Sequence, residues 1–237
     1  MGRIANDNEF YFRTSLCIHA MQLLNTDKFY ELYKRDVTVL DTRSPEQIWE
    51  GIIKNALVVP YASDFLHELQ NVLSDGEILL LADEDKVAEV TNMLRGTGAY
   101  QIAGIMNGGF AAWHSSGYPI DILIGIDADE FAMDYHYDEF VLLDVRSAEE
   151  FRQQHIEYAA HIALGDLENM LCDMDANQLY YVFAGNVANT LTAGSLFKRA
   201  GFERVRLVKA TLDEIKQQQV PVVTSKKQTQ PPEKSSE

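Results

Sequence analysis

Short apolar runs alternate with polar segments along most of the chain, and their spacing predicts the secondary structure. In the first half, apolar runs at residues 37–40, 57–60, 78–82 and 101–105 predict strands. The intervening segments at residues 64–73 and 86–95 carry apolar residues at helical spacing and predict helices. Apolar runs without polar alternation are typical of strands that are buried on both faces. We therefore predict an α/β fold with a mostly parallel central sheet and helices on both faces.

The same pattern occurs twice, with a period of about 100 residues that makes each copy a whole domain rather than a solenoid repeat. The segment VTVLDTRSPEQI in the first half recurs as FVLLDVRSAEEF in the second, so that Asp41 and Arg43 correspond to Asp144 and Arg146. The second copy has predicted strands at residues 141–143, 160–163, 179–183 and 205–208. The sequence thus predicts a tandem duplication of one α/β domain.

The remaining segments give the domain limits. Residues 8–36 predict one or two helices that lead into the first domain, and residues 127–135 are the equivalent lead-in of the second. Residues 121–126 are the predicted linker. We therefore expect a first domain at residues 1–122 and a second at 123–223. The segment 224–237 is polar and contains prolines, and we predict that this tail is disordered.

The charge of the chain excludes some classes of partner. It has 36 acidic and 20 basic residues, and its net charge is −16. Nucleic-acid binding needs basic clusters that displace counterions, and anionic membranes attract basic segments. We therefore expect neither nucleic acid nor a membrane surface as a partner.

The cysteine count and the absence of long apolar runs indicate the compartment. Two cysteines, Cys17 and Cys172, are too few for a disulfide framework and fit a reducing environment. The first residues do not look like a signal peptide, and no apolar stretch approaches the ~18 residues that a membrane span needs. We expect a cytoplasmic protein.

Two motifs carry a family resemblance. The openings DTRSPEQIWEGIIKNA and DVRSAEEFRQQHIEYA, together with the closing GGFAAWHSSGYPI, resemble those of rhodanese-like (sulfurtransferase-type) domains over nearly the whole chain. The pair is similar to the double-rhodanese portion of metallo-β-lactamase–rhodanese fusion proteins. The metal-ligating run of the hydrolase part is absent, and the six histidines are scattered. We predict no metal site and no cofactor.

The resemblance implies where the chemistry of such a domain takes place. In the family, a cysteine at the end of a central strand begins a Cys-x-x-Gly-x-Arg-Ser/Thr loop around a helix start. Backbone N–H groups and the helix N-terminus there form an anion-binding nest and lower the thiol pKa. The matching loop of the second copy consists of Ala184, Gly185, Asn186, Val187, Ala188, Asn189 and Thr190. Alanine replaces the cysteine, Val187 the glycine and Asn189 the arginine, so only Thr190 fits. Persulfide formation is excluded there because a methyl group is not a nucleophile.

The first copy departs from the pattern in another way. Its loop begins with Ala82, Asp83, Glu84, Asp85 and Lys86. We expect the three carboxylates to cap the following helix, where the helix dipole favours negative charge, and to repel any anionic substrate.

Four other features have structural interpretations. Asp41/Arg43 and Asp144/Arg146 are expected to brace the strand-end loops rather than to take part in catalysis. His155 is expected to order a loop by hydrogen bonding, and Trp113 to pack on the core. We predict that Cys17 and Cys172 are buried and inert.

These observations favour a catalytically inactive tandem rhodanese-like protein that acts as a binding or regulatory module linked to persulfide or thiosulfate metabolism. A protein partner is expected, and a sulfur-metabolism metallohydrolase is the first class to test. Two alternatives stay open. One is a sulfurtransferase that uses a thiol outside the loops, Cys17 or Cys172. The other is small-anion binding by the second domain at residues 185–190.

Overall fold

The computed structural model describes residues 22–137 and 139–225. The first domain runs through β1 (Leu23–Leu24), α1 (Thr26–Tyr33), β2 (Thr38–Asp41), α2 (Pro45–Trp49), β3 (Ile52–Ile53), β4 (Leu57–Val58), α3 (Phe65–Val72), β5 (Gly76–Leu81), α4 (Val87–Thr97), β6 (Tyr100–Met106), α5 (Gly109–Ser115) and β7 (Ile120–Asp121). The second runs through β8 (Gly125–Ile126), α6 (Ala128–Tyr137), β9 (Val141–Asp144), α7 (Ala148–Gln153), β10 (His155–Ile156), β11 (Ala160–His161), α8 (Leu164–Leu171), β12 (Tyr180–Phe183), α9 (Val187–Arg199), β13 (Val205–Val208), α10 (Leu212–Gln217) and β14 (Val222–Val223).

Each domain is built on a five-stranded parallel sheet, and the two sheets have the same strand order. The orders are β1-β6-β5-β2-β4 and, from the opposite edge, β11-β9-β12-β13-β8. Backbone hydrogen bonds beyond the strands also repeat: Thr42 N donates to Leu81 O, and Val145 N donates to Phe183 O. The predicted α/β fold and its duplication are confirmed.

The central strands are buried on both faces, as their composition predicts. Four consecutive residues of β5, Ile78 to Leu81, have no exposed surface, and all four residues of β12 are buried. A strand that meets helices on both faces needs apolar side chains at every position. The helix α9 comes close to its sheet because of Gly194, where a Cβ atom would lie 2.4 Å from Leu207 Cδ1.

The two domains pack against each other through one apolar cluster. This cluster contains β2, β4 and α3 residues of the first domain and α8, α9 and β12 residues of the second. Ser195 Oγ of α9 accepts a hydrogen bond from Val58 N of the edge strand β4 at 3.0 Å, and Arg199 donates to Asn55 O at 3.1 Å. The second domain therefore covers an edge of the first sheet.

Several predicted segments differ from the structure or lie outside the residues that it describes. Residues 121–126, predicted as a linker, contain the end of β7, the buried Leu123 and the strand β8. They pair with both domains because β7 forms an antiparallel pair with β3, while β8 joins the second sheet. Residues 8–21 of the N-terminal lead-in and residues 226–237 of the predicted disordered tail lie outside the described residues. The rest of the lead-in contains the strand β1 and the helix α1. Within the described ranges, no helix combines the length and apolar character that a membrane span requires.

Candidate functional site

The carboxyl ends of the parallel strands place the second-domain loop beside Lys209. In the β12–β13 pair, Phe183 is opposite Val208, so Ala184 and Lys209 are the next residues on neighbouring strands. Adjacent strands lie about 4.8 Å apart. Ligands of open α/β sheets bind outside the carboxyl ends of the strands. This edge is therefore the place where the second domain could hold a small molecule.

Ala184 itself is buried, and Gly185 makes the turn out of the strand. Ala184 is 2% exposed. Gly185 has φ +74°, and a Cβ atom there would lie 2.8 Å from Arg146 Cδ. Only glycine meets both the left-handed backbone and this close approach. The loop thus passes tightly over the Arg146 side chain, whose guanidinium carbon lies 5.0 Å from the centre of the Phe183 ring.

Internal hydrogen bonds use some of the loop's donors. The Asn186 side chain caps α9 by accepting from Asn189 N at 2.9 Å, and Thr190 N donates to Asn186 O. The Thr190 hydroxyl also donates to Asn186 O, at 2.7 Å. The N–H groups of Val187 and Ala188 belong to the first turn of α9, where a helix offers no internal acceptor. The anion-binding capacity of the loop is therefore limited to its tip.

The first-domain loop has a different structure from the one predicted. We expected Asp83, Glu84 and Asp85 to cap α4, and this is wrong: α4 begins at Val87, and its N-cap, Lys86, makes no side-chain cap. The Asp83 carboxylate instead accepts from Ser44 N of the neighbouring strand-end loop at 3.2 Å. Asp83 lies too far before the helix to cap it, since two turn residues and Lys86 intervene. Glu84 and Asp85 are exposed.

Tyr61 lies beside the first-domain loop. Lys86 Nζ is 5.9 Å from the centre of the Tyr61 ring. A hydrogen bond with Glu89 raises the pKa of the Tyr61 hydroxyl and lowers that of the Glu89 carboxyl. The Tyr61 hydroxyl is also 3.4 Å from Met93 Sδ. The first-domain loop is therefore an acidic turn with an aromatic side chain beside it, whereas the second-domain loop is neutral.

The two Asp–Arg pairs brace the loops that follow β2 and β9. Arg43 contacts both oxygens of Asp41 and also donates to Gly51 O at 2.8 Å. Arg146 repeats this with Asp144 and donates to Gln154 O at 2.8 Å. Burial raises the pKa of the Asp41 carboxyl, while the hydrogen bonds from Arg43 oppose that rise. The four residues hold the backbone of the strand-end loops in the same way in both copies.

His155 and Trp113 occupy the structural places that the sequence predicts. His155 Nδ1 donates to Phe151 O at 2.7 Å, and the two rings stack. Trp113 is fully buried, and its Nε1 donates to Pro119 O at 2.9 Å.

The prediction of a buried Cys172 is wrong. Cys172 is exposed at the C-cap of α8, and its thiol donates to Asn169 O at 3.0 Å. The helix buries Leu164, Leu167 and Leu171, so the next residue turns away from that face. Cys17 lies outside the described residues. In the part of the chain that the structure describes, no group of three or more His, Cys, Asp or Glu side chains is arranged to hold a metal ion.

A family model for the rhodanese-like domain matches the chain twice, at residues 25–116 and 127–218. The chain belongs to the rhodanese-like family. Each match contains four of the five strands of one parallel sheet, so the rhodanese-like chain has one family domain on each sheet.

Solved structures similar to this rhodanese-like chain come from several bacteria. The crystal structure of the Alr3790 protein from Anabaena is 26% identical over 42% of this chain and 82% of that one, with a TM-score of 0.40. A thiosulfate sulfurtransferase from Pseudomonas aeruginosa is 15% identical over 86% of this chain and 44% of that one, also at 0.40. A full-length protein from Lactobacillus plantarum is 27% identical over 43% of this chain and 88% of that one, at 0.37. Among curated proteins, no match was found.

The structure places the twelve predicted loop residues at the carboxyl edges of two separate sheets. Residues 82–86 follow β5, and residues 184–190 follow β12. Sequence reasoning missed Lys209 and Tyr61. Lys209 directly follows β13, the neighbour of β12, so the alignment of strand ends in a parallel sheet was the signal that could have found it. Tyr61 follows β4, which is separated from β5 by β2, and no local signal places it beside Lys86.

Proposed function

We propose that this chain is a catalytically inactive tandem rhodanese-like protein that acts as a binding or regulatory module in persulfide or thiosulfate metabolism. The observation that carries the proposal is the alanine that directly follows the central strand of each domain, Ala82 after β5 and Ala184 after β12. The family resemblance assigns the sulfur-carrying cysteine to these positions. Neither methyl group can attack sulfur.

The surroundings of both alanines support this proposal. Ala184 and Ala82 are 2% and 9% exposed, so a substrate would not reach either position without rearrangement. No arginine stands in either loop, and the charge of Arg146 beneath the second loop is compensated by Asp144. The first loop carries Asp83 next to Ala82, which disfavours an anionic sulfur donor.

Loading with a sulfur donor tests the proposal against the alternative of a thiol outside the loops. Intact-mass measurement after brief treatment with thiosulfate or a low-mass persulfide is expected to show the unmodified chain. The exposed Cys172 favours the alternative, in which the chain gains the mass of one sulfur atom at low donor concentration. That gain would be lost in Cys172→Ser and kept in Cys17→Ser, or the reverse if Cys17 is the thiol.

Small-anion binding by the second domain is a second candidate function, and the first turn of α9 favours it. The N–H groups of Val187 and Ala188 would meet an anion at the tip of residues 185–190. Lys209 on the neighbouring strand is directed to the other side, since its ammonium lies 3.1 Å from Asp127 Oδ1 and 5.6 Å from the centre of the Trp49 ring.

Thermal unfolding with thiosulfate, sulfate or phosphate tests this second candidate, since a ligand that binds only the folded state raises the Tm. The increase should be lost in Val187→Glu, which places a carboxylate in the first turn of α9. It should persist in Met133→Glu, which adds the same charge at an exposed position of α6. An equal response of both variants would exclude the loop as the site.

The net charge of the chain indicates which class of partner it binds. We propose a cytoplasmic protein partner rather than nucleic acid or a membrane, because the chain carries a net charge of −16. The exposed Glu84 and Asp85 offer it an acidic contact. A persulfide-oxidising metallohydrolase is the first class to titrate. Binding that weakens in Glu84→Gln/Asp85→Asn and at higher salt would support this contact, and binding unaffected by either would contradict it.

A further inference from the structure

A cavity of about 590 Å³ lies between the two domains, at the edge of the first sheet opposite to Ala82. Tyr33, Lys34 and Asn55 of the first domain form one wall, and Leu171, Cys172 and Arg199 of the second form the other. Ligand sites of proteins have volumes of roughly 300–1,000 Å³ and occur preferentially at domain interfaces. The place and size of this cavity are thus those of a small-molecule site.

The Arg199 guanidinium in this cavity has an incompletely used hydrogen-bonding edge. One terminal nitrogen donates to Asn55 O at 3.1 Å. The other is 3.7 Å from Glu168 Oε1, which is too long for a hydrogen bond. The buried Nε–H has no acceptor within the described residues. Nε and one terminal nitrogen form the edge of arginine that a carboxylate engages with two parallel hydrogen bonds. A ligand carboxylate would replace the Glu168 carboxylate at this edge.

The other lining groups narrow the class of ligand. Leu171 and Leu196 are apolar and buried, so part of the cavity suits an apolar body. Lys34 adds a second cation, whose ammonium also pairs with Glu31 at 2.8 Å. The carboxylates of Glu168 and Asp36 line the cavity too and disfavour a multiply charged anion. A singly charged organic acid meets all of these conditions.

We propose that this interdomain cavity binds a small organic carboxylate, with the carboxylate on Arg199 and the apolar body against Leu171 and Leu196. Such a ligand would contact both domains at once and would strengthen their association. The site is separate from residues 82–86 and 184–190, so it stands or falls independently of the sulfur chemistry proposed above.

Protection of the Cys172 thiol from alkylation measures how far the interdomain cavity is occupied by ligand. In a full-length Cys17→Ser chain, Cys172 is the remaining thiol, and its alkylation by iodoacetamide can be timed with and without hexanoate or phenylacetate. At ten times the Kd about one site in ten stays open, so alkylation should slow about tenfold. The neutral hexanamide and phenylacetamide should protect far less. Protection by neither acid, or equal protection by acid and amide, would overturn the proposal.

Matched variants test whether the carboxylate of the ligand binds Arg199. Arg199→Gln should abolish protection, and Arg199→Lys should keep part of it because the charge remains. Arg95→Gln, an exposed position on α4, should behave like the parent. Lys34→Gln serves as a second test at a half-exposed side chain, and it should weaken protection even if the Arg199 variants do not fold. Protection that is unchanged in Lys34→Gln and in folded Arg199→Gln would also overturn the proposal.

Discussion

At the residue scale, the same few side chains fix the strand-end loops in both domains. Each guanidinium holds a buried carboxylate two residues before it and a carbonyl eight residues after it, Gly51 O for Arg43 and Gln154 O for Arg146. The resemblance of both motifs to those of rhodanese-like domains implies this bracing role. It does not predict the exposure of Cys172, since the end of α8 depends on which helix face meets the other domain.

Replacing Arg43 by Met should destabilise the fold by about 3 to 5 kcal/mol, because it leaves the Asp41 carboxylate buried without its partner. Urea unfolding followed by circular dichroism measures the loss. Arg95→Met, at an exposed position, should change the free energy of unfolding by less than about 0.5 kcal/mol. Equal effects of the two substitutions would show that the buried pair has no special structural role.

Gly185 offers a second test at this scale. Gly117 shares its left-handed backbone, with φ +71° against +74°, but a Cβ atom at Gly117 would meet nothing within 4 Å. Gly117→Ala should cost about 1 kcal/mol for the backbone alone. Gly185→Ala should cost about 1 to 3 kcal/mol more, because its methyl group would press on Arg146. Identical losses in thermal unfolding would refute the tight packing of this loop.

At the scale of elements, the apolar runs predict the strands well, but they do not predict the contacts that hold the strand-end loops. The run at residues 205–208 is β13 itself, and the run at 78–82 contains most of β5. These segments form strands that are buried on both faces, and a continuous apolar run indicates such a strand from the local sequence alone. The Asp83 carboxylate, in contrast, bonds to Ser44, 39 positions earlier, and no local pattern encodes that contact. The position of α9 depends in the same way on distant residues, Val58 and Leu207.

Ser195→Ala should therefore destabilise the protein by about 1 to 3 kcal/mol, since Val58 N would be left buried without its acceptor. Ser116→Ala, whose exposed hydroxyl donates to Ala112 O, is the control and should have little effect. Chemical denaturation of both variants gives the comparison. A neutral Ser195→Ala would show that α9 does not hold the edge of β4.

At the scale of the whole molecule, the two domains share an apolar core, and we expect them to unfold as one cooperative unit. The apolar cluster that joins them includes fully buried residues from both domains, among them Leu40 of β2 and Phe197 of α9. Sequence patterns predict two domains because each copy repeats the same succession of predicted strands and helices. They do not predict the shared core, which arises from contacts between residues more than a hundred positions apart.

The distribution of tryptophan allows this cooperativity to be measured. Both tryptophans, Trp49 and Trp113, lie in the first domain. Phe131→Ala removes a fully buried ring from a separate core cluster of the second domain and should cost about 3 to 5 kcal/mol. Because Trp49 lies against Lys209 of the second domain, a Trp49→Phe background leaves Trp113, in a first-domain core cluster, as the fluorophore. Its fluorescence and the circular dichroism of the whole chain should shift together to lower urea. A fluorescence transition that stays at the parent midpoint would mean that the domains unfold independently.

The most direct test of the central claim is sulfur transfer from thiosulfate to cyanide by the full-length chain. Because alanine stands in both loops, we predict no thiocyanate above a protein-free blank, and the same result for the Cys17→Ser/Cys172→Ser double variant. Steady turnover by the natural chain that a single substitution abolishes would contradict the account, since one residue would then carry the sulfur.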